Sequence, residues 1–196
     1  RINRRQNVNR VMLANATTGA VRAVLTERDS AWVDAVDDLS WLGGGREFLW
    51  VSERDGWRHL YRVARDGGKI TLITPGDYDV VDVAAVDEPG GWLYFIASPD
   101  NATQRYLYRA RLDGRGSPVR LSPGSLPGTH GYDIAPGGRA AFHTYSRADV
   151  PPLVDLVSLP EHAVVRSLAA NADQRAAVAA AIGRPTEFFK VEVGDG

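Results

Sequence analysis

The amino-acid sequence predicts an all-β fold, a β-propeller fragment of about four blades in which each blade is a sheet of four antiparallel strands. Two observations predict it. Short apolar strands alternate with Asx-Gly and Gly-Gly turns, and this pattern recurs about every 47 residues. Four strands in a repeat of roughly 40–50 residues are typical of propeller blades. One such sheet cannot cover both of its faces, so neighbouring sheets must stack around an axis.

The clearest unit is the hairpin in residues 47–68. Side chains alternate between the two faces of a strand, so Phe48 and Trp50 fall on one face and Leu49 on the other. Residues 54–56, Arg-Asp-Gly, supply the reversal because glycine takes positive φ without steric cost. A second apolar strand follows. Two apolar strands around an Asp-Gly turn are a strong hairpin signal.

Three sets of similar segments recur along the chain in matched order. The strand–turn–strand units that close on Thr or Ser lie at 11–26, 60–76 and 107–124. A second set of apolar strands lies at 47–54, 92–99 and 139–147, and successive members start 45 and 47 residues apart. A weaker set closed by glycines lies at 33–45, 80–91 and 131–138. A β-sandwich with coincidental spacing is the alternative architecture.

The repeat defines the expected domain organisation. We predict a partial propeller at 1–168, with blades near 1–30, 31–76, 77–124 and 128–168, followed by a helix and a crossover strand at 169–196. Asn171 is a plausible helix N-cap with a box-like Gln174, and an alanine-rich helix runs from there to Ile182. Residues 187–193, EFFKVEV, are the predicted crossover strand.

Composition restricts the function classes. The formal net charge is −1 with no single-sign block, so neither nucleic acid nor an anionic membrane is an expected partner. The chain has no Cys, which excludes disulfides and thiolate chemistry but leaves the compartment open, whether bacterial periplasm or cytoplasm. No apolar run approaches the ~20 residues of a membrane span. The first ten residues carry no apolar h-region and no Met, so we expect a cut through a longer chain.

Two kinds of catalytic site are disfavoured by spacing. Ser125 and Ser146 near His143 are the closest approach to a Ser-His-Asp triad, but one lies in a Pro/Gly loop and the other ends a repeated strand. The four His show no H-x-x-x-H spacing and no Cys accompanies them, so we expect structural histidines bonded to backbone at blade edges. We predict no catalytic residue, no metal and no cofactor.

Several segments carry a family resemblance. They are Trp32-Val33, 37–39, the string SERDGWRHLY at 52–61, 107–109, 128–130, 144–146 and 185–189. Together they resemble the amino-terminal propeller of the dipeptidyl peptidase IV family of serine peptidases, particularly its bacterial members. The likeness is spread along almost the whole chain, keeps the family's order, and is most specific in SERDG-x-x-HLY.

The resemblance implies a piece of a larger enzyme. Members of that family carry an eight-bladed propeller that caps an α/β-hydrolase domain and screens entry to the catalytic cavity. They release dipeptides from peptide amino termini, commonly after Pro or Ala. This chain would be roughly the second half of the propeller, with a peptide substrate and the hydrolase domain as its partners in the parent enzyme.

Departures from the family are as informative as the match. No G-x-S-x-G motif occurs here, so the nucleophilic Ser has no counterpart. The family's Glu pair that holds the substrate ammonium has none either. Three alternatives therefore stay open: a dipeptidyl peptidase propeller, a free-standing propeller for protein–protein binding, and a sister oligopeptidase or acylaminoacyl peptidase. A half-ring leaves strand edges open, so we also expect self-association.

Asp34, Asp37 and Asp38 form the acidic cluster of most interest. In a propeller the first strand of each blade lines the central channel, so these residues are the substrate-channel candidates for a peptide ammonium or basic side chain. The alternative, which we favour, is that they accept hydrogen bonds from turn amides or pair with Arg54 and Arg58.

Tryptophans recur on the repeated strands, at 41, 50, 57 and 92. Packing between blades is the default explanation, because large aromatic rings dominate such cores. An exposed stacking platform for a sugar or base is the weaker alternative.

Overall fold

The computed structural model describes residues 1–36, 39–184 and 186–194 of the chain. These residues form fourteen strands and one helix. The strands are β1 (Val8–Ala14), β2 (Val21–Arg28), β3 (Ser40–Leu42), β4 (Glu47–Ser52), β5 (His59–Ala64), β6 (Ile70–Leu72), β7 (Val80–Asp87), β8 (Trp92–Ala97), β9 (Tyr106–Arg111), β10 (Val119–Arg120), β11 (Thr129–Ile134), β12 (Ala140–Arg147), β13 (Val150–Ser158) and β14 (Val164–Ala169). The helix is α1 (Ala172–Ala181).

Strands pair antiparallel with their neighbours in the sequence. Sheet 1 is β1–β2, sheet 2 is β3–β6, sheet 3 is β7–β10 and sheet 4 is β11–β14. The last three each hold four strands in chain order, while sheet 1 pairs two strands within the described residues. This is the succession of blades that the sequence repeat predicts, and the all-β propeller fragment is confirmed.

The apolar cores lie between consecutive sheets. One cluster joins sheets 1 and 2, a second and larger one joins sheets 2 and 3, and a third joins sheets 3 and 4. Phe48 and Trp50 of β4 face sheet 1, whereas Leu49 and Val51 face sheet 3. The predicted division of faces in this hairpin is confirmed. A central sheet therefore buries both of its faces, and stacking supplies the burial that one sheet lacks.

The Thr or Ser that closes each repeat has a structural role. The amide of Leu60 in β5 donates to Thr74 Oγ1 at 3.0 Å, and the amide of Leu107 in β9 donates to Ser122 Oγ at 2.7 Å. Both acceptors follow the short outer strand of their sheet. The hydroxyl oxygen thus accepts a hydrogen bond from a buried backbone N–H that lies beyond the end of this short strand.

Two turn glycines lie against the preceding sheet. Gly67 and Gly114 sit 47 residues apart in the last turn of sheets 2 and 3, with φ of 83° and 74°. A Cβ on Gly67 would lie 2.2 Å from Val24 O, and one on Gly114 would lie 2.7 Å from Leu72 O. Only glycine permits both the positive φ and this close approach between sheets.

Sheet 4 departs from the pattern of its neighbours. Burial is nearly continuous along β4 and β8 but alternates along β12, where Phe142 is 52% exposed. One face of sheet 4 packs on sheet 3 and the other faces solvent. Period-2 burial is what a strand shows when only one face of its sheet is covered.

The capping box predicted at Asn171 is wrong. Asn171 has left-handed backbone angles (φ 45°, ψ 44°) and makes no side-chain bond to the start of α1. Its Nδ2 donates instead to Pro152 O at 2.5 Å, so a carbonyl of β13 takes the side chain that would have capped the helix. Within the described residues, no helix is long and apolar enough to cross a membrane.

The crossover strand predicted at 187–193 does not form a strand in the structure. A strand needs the hydrogen-bonding edge of a partner, and none of the described residues pairs with this segment. Its apolar side chains are exposed, namely Phe188, Phe189, Val191 and Val193.

Candidate functional site

A surface depression lies where sheets 1 and 2 meet. Four segments form it: the end of β2, the loop 29–36 that leaves β2, the end of β4, and the turn 53–58 between β4 and β5. Its charged and aromatic lining consists of Glu27, Arg28, Asp29, Trp32, Asp34, Trp50, Glu53, Arg54 and Arg58. The depression therefore combines charges of both signs with two indole rings.

Glu27 is the buried centre of this depression. Glu27 is 8% exposed, and its Oε1 accepts hydrogen bonds from Trp50 Nε1 at 2.9 Å and from Arg54 Nη2 at 2.5 Å. Arg54 also donates through Nε to Ser52 Oγ at 3.0 Å and lies over the ring of Tyr61, 5.0 Å from its centroid. A carboxylate from sheet 1 thus fixes an indole and a guanidinium of sheet 2, and it joins the two sheets.

Asp29 shapes the loop above that centre. Its Oδ1 accepts from the amides of Ala31 at 2.7 Å and Trp32 at 3.1 Å. These backbone bonds, the one from Ala31 first, hold the pKa of Asp29 below its ordinary value. Asp29 therefore accepts the hydrogen bonds from turn amides that we expected Asp34, Asp37 and Asp38 to accept.

Asp34 is the one channel candidate within the described residues, since Asp37 and Asp38 lie outside them. Asp34 is exposed, and its Oδ1 accepts from Trp32 Nε1 at 2.8 Å. Its predicted cationic partners are engaged elsewhere: Arg54 pairs with Glu27, and Arg58 donates to the backbone carbonyl of Val80.

The chemistry of the depression follows from these contacts. Glu27 is neutralised by Arg54 and acts as a scaffold. Asp34 presents a solvent-facing carboxylate oriented by an indole, and such a group accepts hydrogen bonds from an ammonium or guanidinium. Sequence reasoning missed Glu27 because it lies in a polar strand end, with no motif around it, 27 residues before Arg54.

Ser125 and Ser146, the candidate nucleophiles of the sequence analysis, are not placed for that role. His143 and Ser146 lie on opposite faces of β12, since alternate residues of a strand share a face. Ser125 is in the exposed loop between β10 and β11. Among the residues with described positions, no group of three His, Asp or Glu side chains is placed to hold a metal ion.

The four histidines are all buried, but most of their contacts differ from the predicted backbone bonds. His130 does bond a carbonyl, with Nε2 2.8 Å from Leu126 O. His59 pairs through Nδ1 with Asp55 Oδ2 at 2.8 Å. Burial raises the pKa of Asp55, but the hydrogen bonds from His59 and Tyr61 outweigh it and hold that pKa below its ordinary value. His143 and His162 join His130 in one cluster, which the spacing of the residues did not reveal.

Three of the four tryptophans singled out in the sequence pack as side chains of the sheets, whereas Trp57 lies in the turn between β4 and β5 and is 39% exposed, so its predicted packing on a strand is wrong. Trp50 is buried between sheets 1 and 2, and Trp41 meets Phe48 edge-on with centroids 5.6 Å apart. Trp92 lies against two guanidiniums, those of Arg109 at 4.2 Å and Arg111 at 4.7 Å. These cation–π contacts account for the ring without an external ligand.

Comparisons with known proteins agree with this architecture. The family model described as "Dipeptidyl peptidase IV (DPP IV) N-terminal region" matches residues 1–152. A probable dipeptidyl-aminopeptidase B of Aspergillus clavatus is 28% identical over 207 aligned residues, which cover 99% of this chain and 22% of that protein. A dipeptidyl peptidase 4 of Arthroderma otae is 31% identical over 117 residues, or 57% of this chain and 15% of that protein.

Solved structures of dipeptidyl peptidases superpose on this chain. The crystal structure of Porphyromonas gingivalis dipeptidyl peptidase 4 superposes with a TM-score of 0.77 and 26% identity, covering 90% of this chain and 25% of that one. A putative dipeptidyl aminopeptidase IV from Bacteroides ovatus superposes with a TM-score of 0.72 at 19% identity, covering 85% of this chain and 26% of that one. The chain thus spans about a quarter of the length of these relatives, and it belongs to the family of dipeptidyl peptidase IV N-terminal regions.

Proposed function

We propose that this chain is the propeller part of a serine dipeptidyl peptidase that releases amino-terminal dipeptides after Pro or Ala, and that it gates access of the peptide to the catalytic site. The observation that carries the proposal is the family match over residues 1–152, together with relatives named as dipeptidyl peptidases. The chain itself contains no G-x-S-x-G motif, so the nucleophile would come from another part of the parent protein.

Asp34 supports the gating part of the proposal. Its carboxylate is exposed, is oriented by the bond from Trp32 Nε1, and is not neutralised by the nearby Arg54, which pairs with Glu27. A fixed negative charge at the rim of a passage attracts the ammonium of a peptide and its basic side chains. Asp37 and Asp38 would add to this charge.

Reading the coding sequence beyond Gly196 tests the peptidase assignment. The proposal expects a G-x-S-x-G motif within about 150 residues, followed by Asp and then His. A stop codon there would instead favour the alternative of a free-standing propeller for protein–protein binding. A nucleophile elbow without an upstream Glu pair would favour a sister oligopeptidase or acylaminoacyl peptidase.

Substitution of Asp34 in the full-length enzyme tests the gating role. Asp34→Asn keeps an oxygen for Trp32 Nε1 and removes only the charge. We expect kcat/KM for Xaa-Pro and Xaa-Ala substrates to fall about fivefold, the equivalent of roughly 1 kcal/mol for a solvent-screened charge, with an unchanged melting temperature.

Asp149→Asn is the matched control for that measurement. Asp149 is a surface aspartate paired with Arg147 at 2.5 Å, and it lies in sheet 4 beyond the depression. It should leave kcat/KM unchanged. If Asp34→Asn also leaves kcat/KM unchanged, or if both variants lower it equally, Asp34 has no part in substrate access. The same test applies to Asp37→Asn, where a lower melting temperature with intact kcat/KM would contradict the channel role.

We also propose that the isolated chain self-associates. Sheet 4 leaves Phe142 on its solvent-facing side, and Val164 and Val165 on its edge strand β14, each more than half exposed. Burial of such a surface against a second copy is favourable, because apolar area leaves water. Static light scattering should report a dimer or larger species that dissociates on dilution. A monomer at all accessible concentrations would contradict it.

A further inference from the structure

A cluster of hydrogen-bonded rings fills the interface between sheets 3 and 4. The histidine cluster consists of His130, His143, His162, Tyr132 and Ser122, and its three imidazoles are 2%, 2% and 9% exposed. His143 is central: its ring centroid lies 5.1 Å from that of His130, 4.8 Å from Tyr132 and 4.7 Å from His162. Three ionisable rings therefore share one buried volume that the proposed peptide passage does not use.

Hydrogen-bond geometry fixes the proton positions on two of these rings. His130 Nε2 lies 2.8 Å from Leu126 O, and a carbonyl can only accept, so Nε2 carries the proton. In a neutral imidazole the other nitrogen is then an acceptor. His130 Nδ1 lies 2.9 Å from His143 Nε2, so His143 must donate through Nε2. Each ring of the pair then carries a single proton, on Nε2.

A second chain of bonds crosses from sheet 3 to sheet 4. The amide of Leu107 donates to Ser122 Oγ, and that hydroxyl lies 2.9 Å from Tyr132 OH. The Tyr132 hydroxyl also lies 2.8 Å from His162 Nε2, and each hydroxyl of this chain can turn to donate or to accept. The chain begins on a backbone amide of β9 and ends on the turn between β13 and β14.

We propose that the histidine cluster is an acid-sensitive latch between sheets 3 and 4, closed while its imidazoles are neutral and opened when one of them takes up a proton. A proton on His130 Nδ1 would set two N–H groups against each other at 2.9 Å. A proton on His162 Nε2 would make the Tyr132 hydroxyl an acceptor there and turn its own proton towards Ser122 Oγ. Leaving a buried donor without an acceptor is costly, so the His130 ring is displaced. His130 packs against Tyr106 of sheet 3 with ring centroids 5.4 Å apart, so this displacement opens the interface.

The groups around the cluster act in both directions, and burial outweighs them. Arg120 on β10 repels a proton on His130, whereas the bond to Leu126 favours one there and Asp155 on β13 favours one on His162. The rings of Tyr106 from β9 and Tyr145 from β12 also face His130. Burial is the largest cause, and it lowers the pKa of His130 and His162 and takes that of His143 to about 3.

The sign of the pH dependence follows directly. In the unfolded chain the three histidines of the cluster titrate near pH 6.5, above their pKa values in the folded chain. The unfolded state therefore binds more protons below about pH 6.5, and stability that is complete above that pH falls as the pH is lowered. Each histidine kept neutral in the folded state costs about a tenfold drop in the folded-to-unfolded ratio per pH unit.

Urea unfolding of the chain at pH 7 and pH 5 tests the latch with a His143→Gln variant. The glutamine amide can donate to His130 Nδ1 as His143 Nε2 does, but it does not titrate. We expect the stability lost between pH 7 and pH 5 to be smaller in His143→Gln than in the wild type, by about tenfold in the ratio per pH unit below 6.5. Equal losses in both proteins would overturn the proposal.

Tyr145→Phe is the matched control, since it removes a hydroxyl that donates to Pro127 O at 2.9 Å from the same strand. It should lower stability equally at both pH values and keep the wild-type pH dependence. If Tyr145→Phe reduces that dependence as much as His143→Gln does, the effect comes from general loosening and the latch is wrong.

Two NMR measurements on the wild type remain informative if a variant does not fold. Two-bond ¹H–¹⁵N spectra should show His130 and His143 as neutral Nε2–H rings at pH 7 and still neutral at pH 5. Exchange protection of the Leu107 amide should fall at pH 5 relative to that of Leu60, its equivalent in sheet 2, which donates to Thr74 instead. Folded-state titration of either ring near pH 6.5, or parallel changes at both amides, would overturn the latch.

Discussion

Sheets 3 and 4 come from the same sequence repeat but are built in different ways. In sheet 3, β8 is buried along nearly its whole length, and Tyr78, Phe95 and Tyr108 stack against one another with centroids 5.7–6.4 Å apart. In sheet 4, β12 is buried on alternate residues, and the rings facing sheet 3 include His130 and His143, joined by hydrogen bonds. Among the described residues, sheet 3 has a neighbouring sheet on each side and sheet 4 has one neighbour.

The difference teaches what a repeat does and does not specify. Strand length and turn position are local properties and recur, whereas burial depends on which sheet lies alongside. An apolar stack such as that around Phe95 is indifferent to pH, because nothing in it titrates in the acid range. A hydrogen-bonded interior needs every proton in its place, so its stability changes with pH.

The largest expected difference compares Phe95→Ala with Phe142→Ala. Phe95 is 0% exposed in the core between sheets 2 and 3, so its truncation leaves a cavity and should cost about 4 kcal/mol. Phe142 is 52% exposed and should cost less than about 1 kcal/mol. Urea unfolding of both variants measures this, and equal losses would show that sheet 4 is covered on both faces in solution.

A second comparison uses two turn glycines of sheet 2. Gly67→Ala places a Cβ 2.2 Å from Val24 O of sheet 1 at φ 83°, so we expect a loss of about 3 kcal/mol. Gly56→Ala has a similar φ of 96° but open space around it, so it should lose about 1 kcal/mol. If thermal unfolding shows the two variants to be equally stable, sheets 1 and 2 do not approach as closely as described.

Beside the apolar cores, the polar contact between sheets 1 and 2 is an ion pair, whereas the polar contact between sheets 3 and 4 is made by the neutral histidine cluster. Glu27→Gln leaves the Arg54 guanidinium without its carboxylate, and we expect it to cost about 2 kcal/mol at pH 7. Asp149→Asn removes the exposed pair with Arg147 and should leave the midpoint of urea unfolding nearly unchanged. Similar midpoints for both variants would mean that Glu27 is solvated.

The smallest effects concern the hydroxyls that close the repeats. Thr74→Val removes the acceptor of the Leu60 amide and should cost about 1 kcal/mol. Ser122→Ala removes the acceptor of Leu107 and also the bond to Tyr132, so we expect about 1.5 kcal/mol. Chemical denaturation measures both losses of stability. A larger loss for Thr74→Val than for Ser122→Ala would show that Ser122 is not hydrogen-bonded to the histidine cluster.

Local features of the fold could be predicted from the sequence. The Asp55-Gly56 turn and the alternation from Phe48 to Trp50 depend on neighbours along the chain, and both appear where the pattern placed them. The candidate site could not be predicted in the same way. The sequence offers Asp34, Asp37 and Asp38 as partners of Arg54, but Glu27 from another sheet pairs with it.

The other misses have the same physical origin. Asn171 has the composition of an N-cap, yet a carbonyl 19 residues away in β13 accepts its side chain. His130, His143 and His162 lie 13 and 19 residues apart with no motif spacing, and only the pairing of β11, β12 and β13 brings them together. Which partner such a side chain contacts depends on residues that are distant in the sequence. A single sequence does not show which of these residues the fold brings close.

Amide hydrogen exchange at neutral pH tests the central claim, that each core lies between consecutive sheets, most directly. β8 and β12 are the matched pair, since each is the second strand of its sheet and is hydrogen-bonded on both edges. The account predicts that β8 exchanges only through global unfolding and β12 exchanges faster through local opening. Protection of β12 equal to or greater than that of β8 would contradict it.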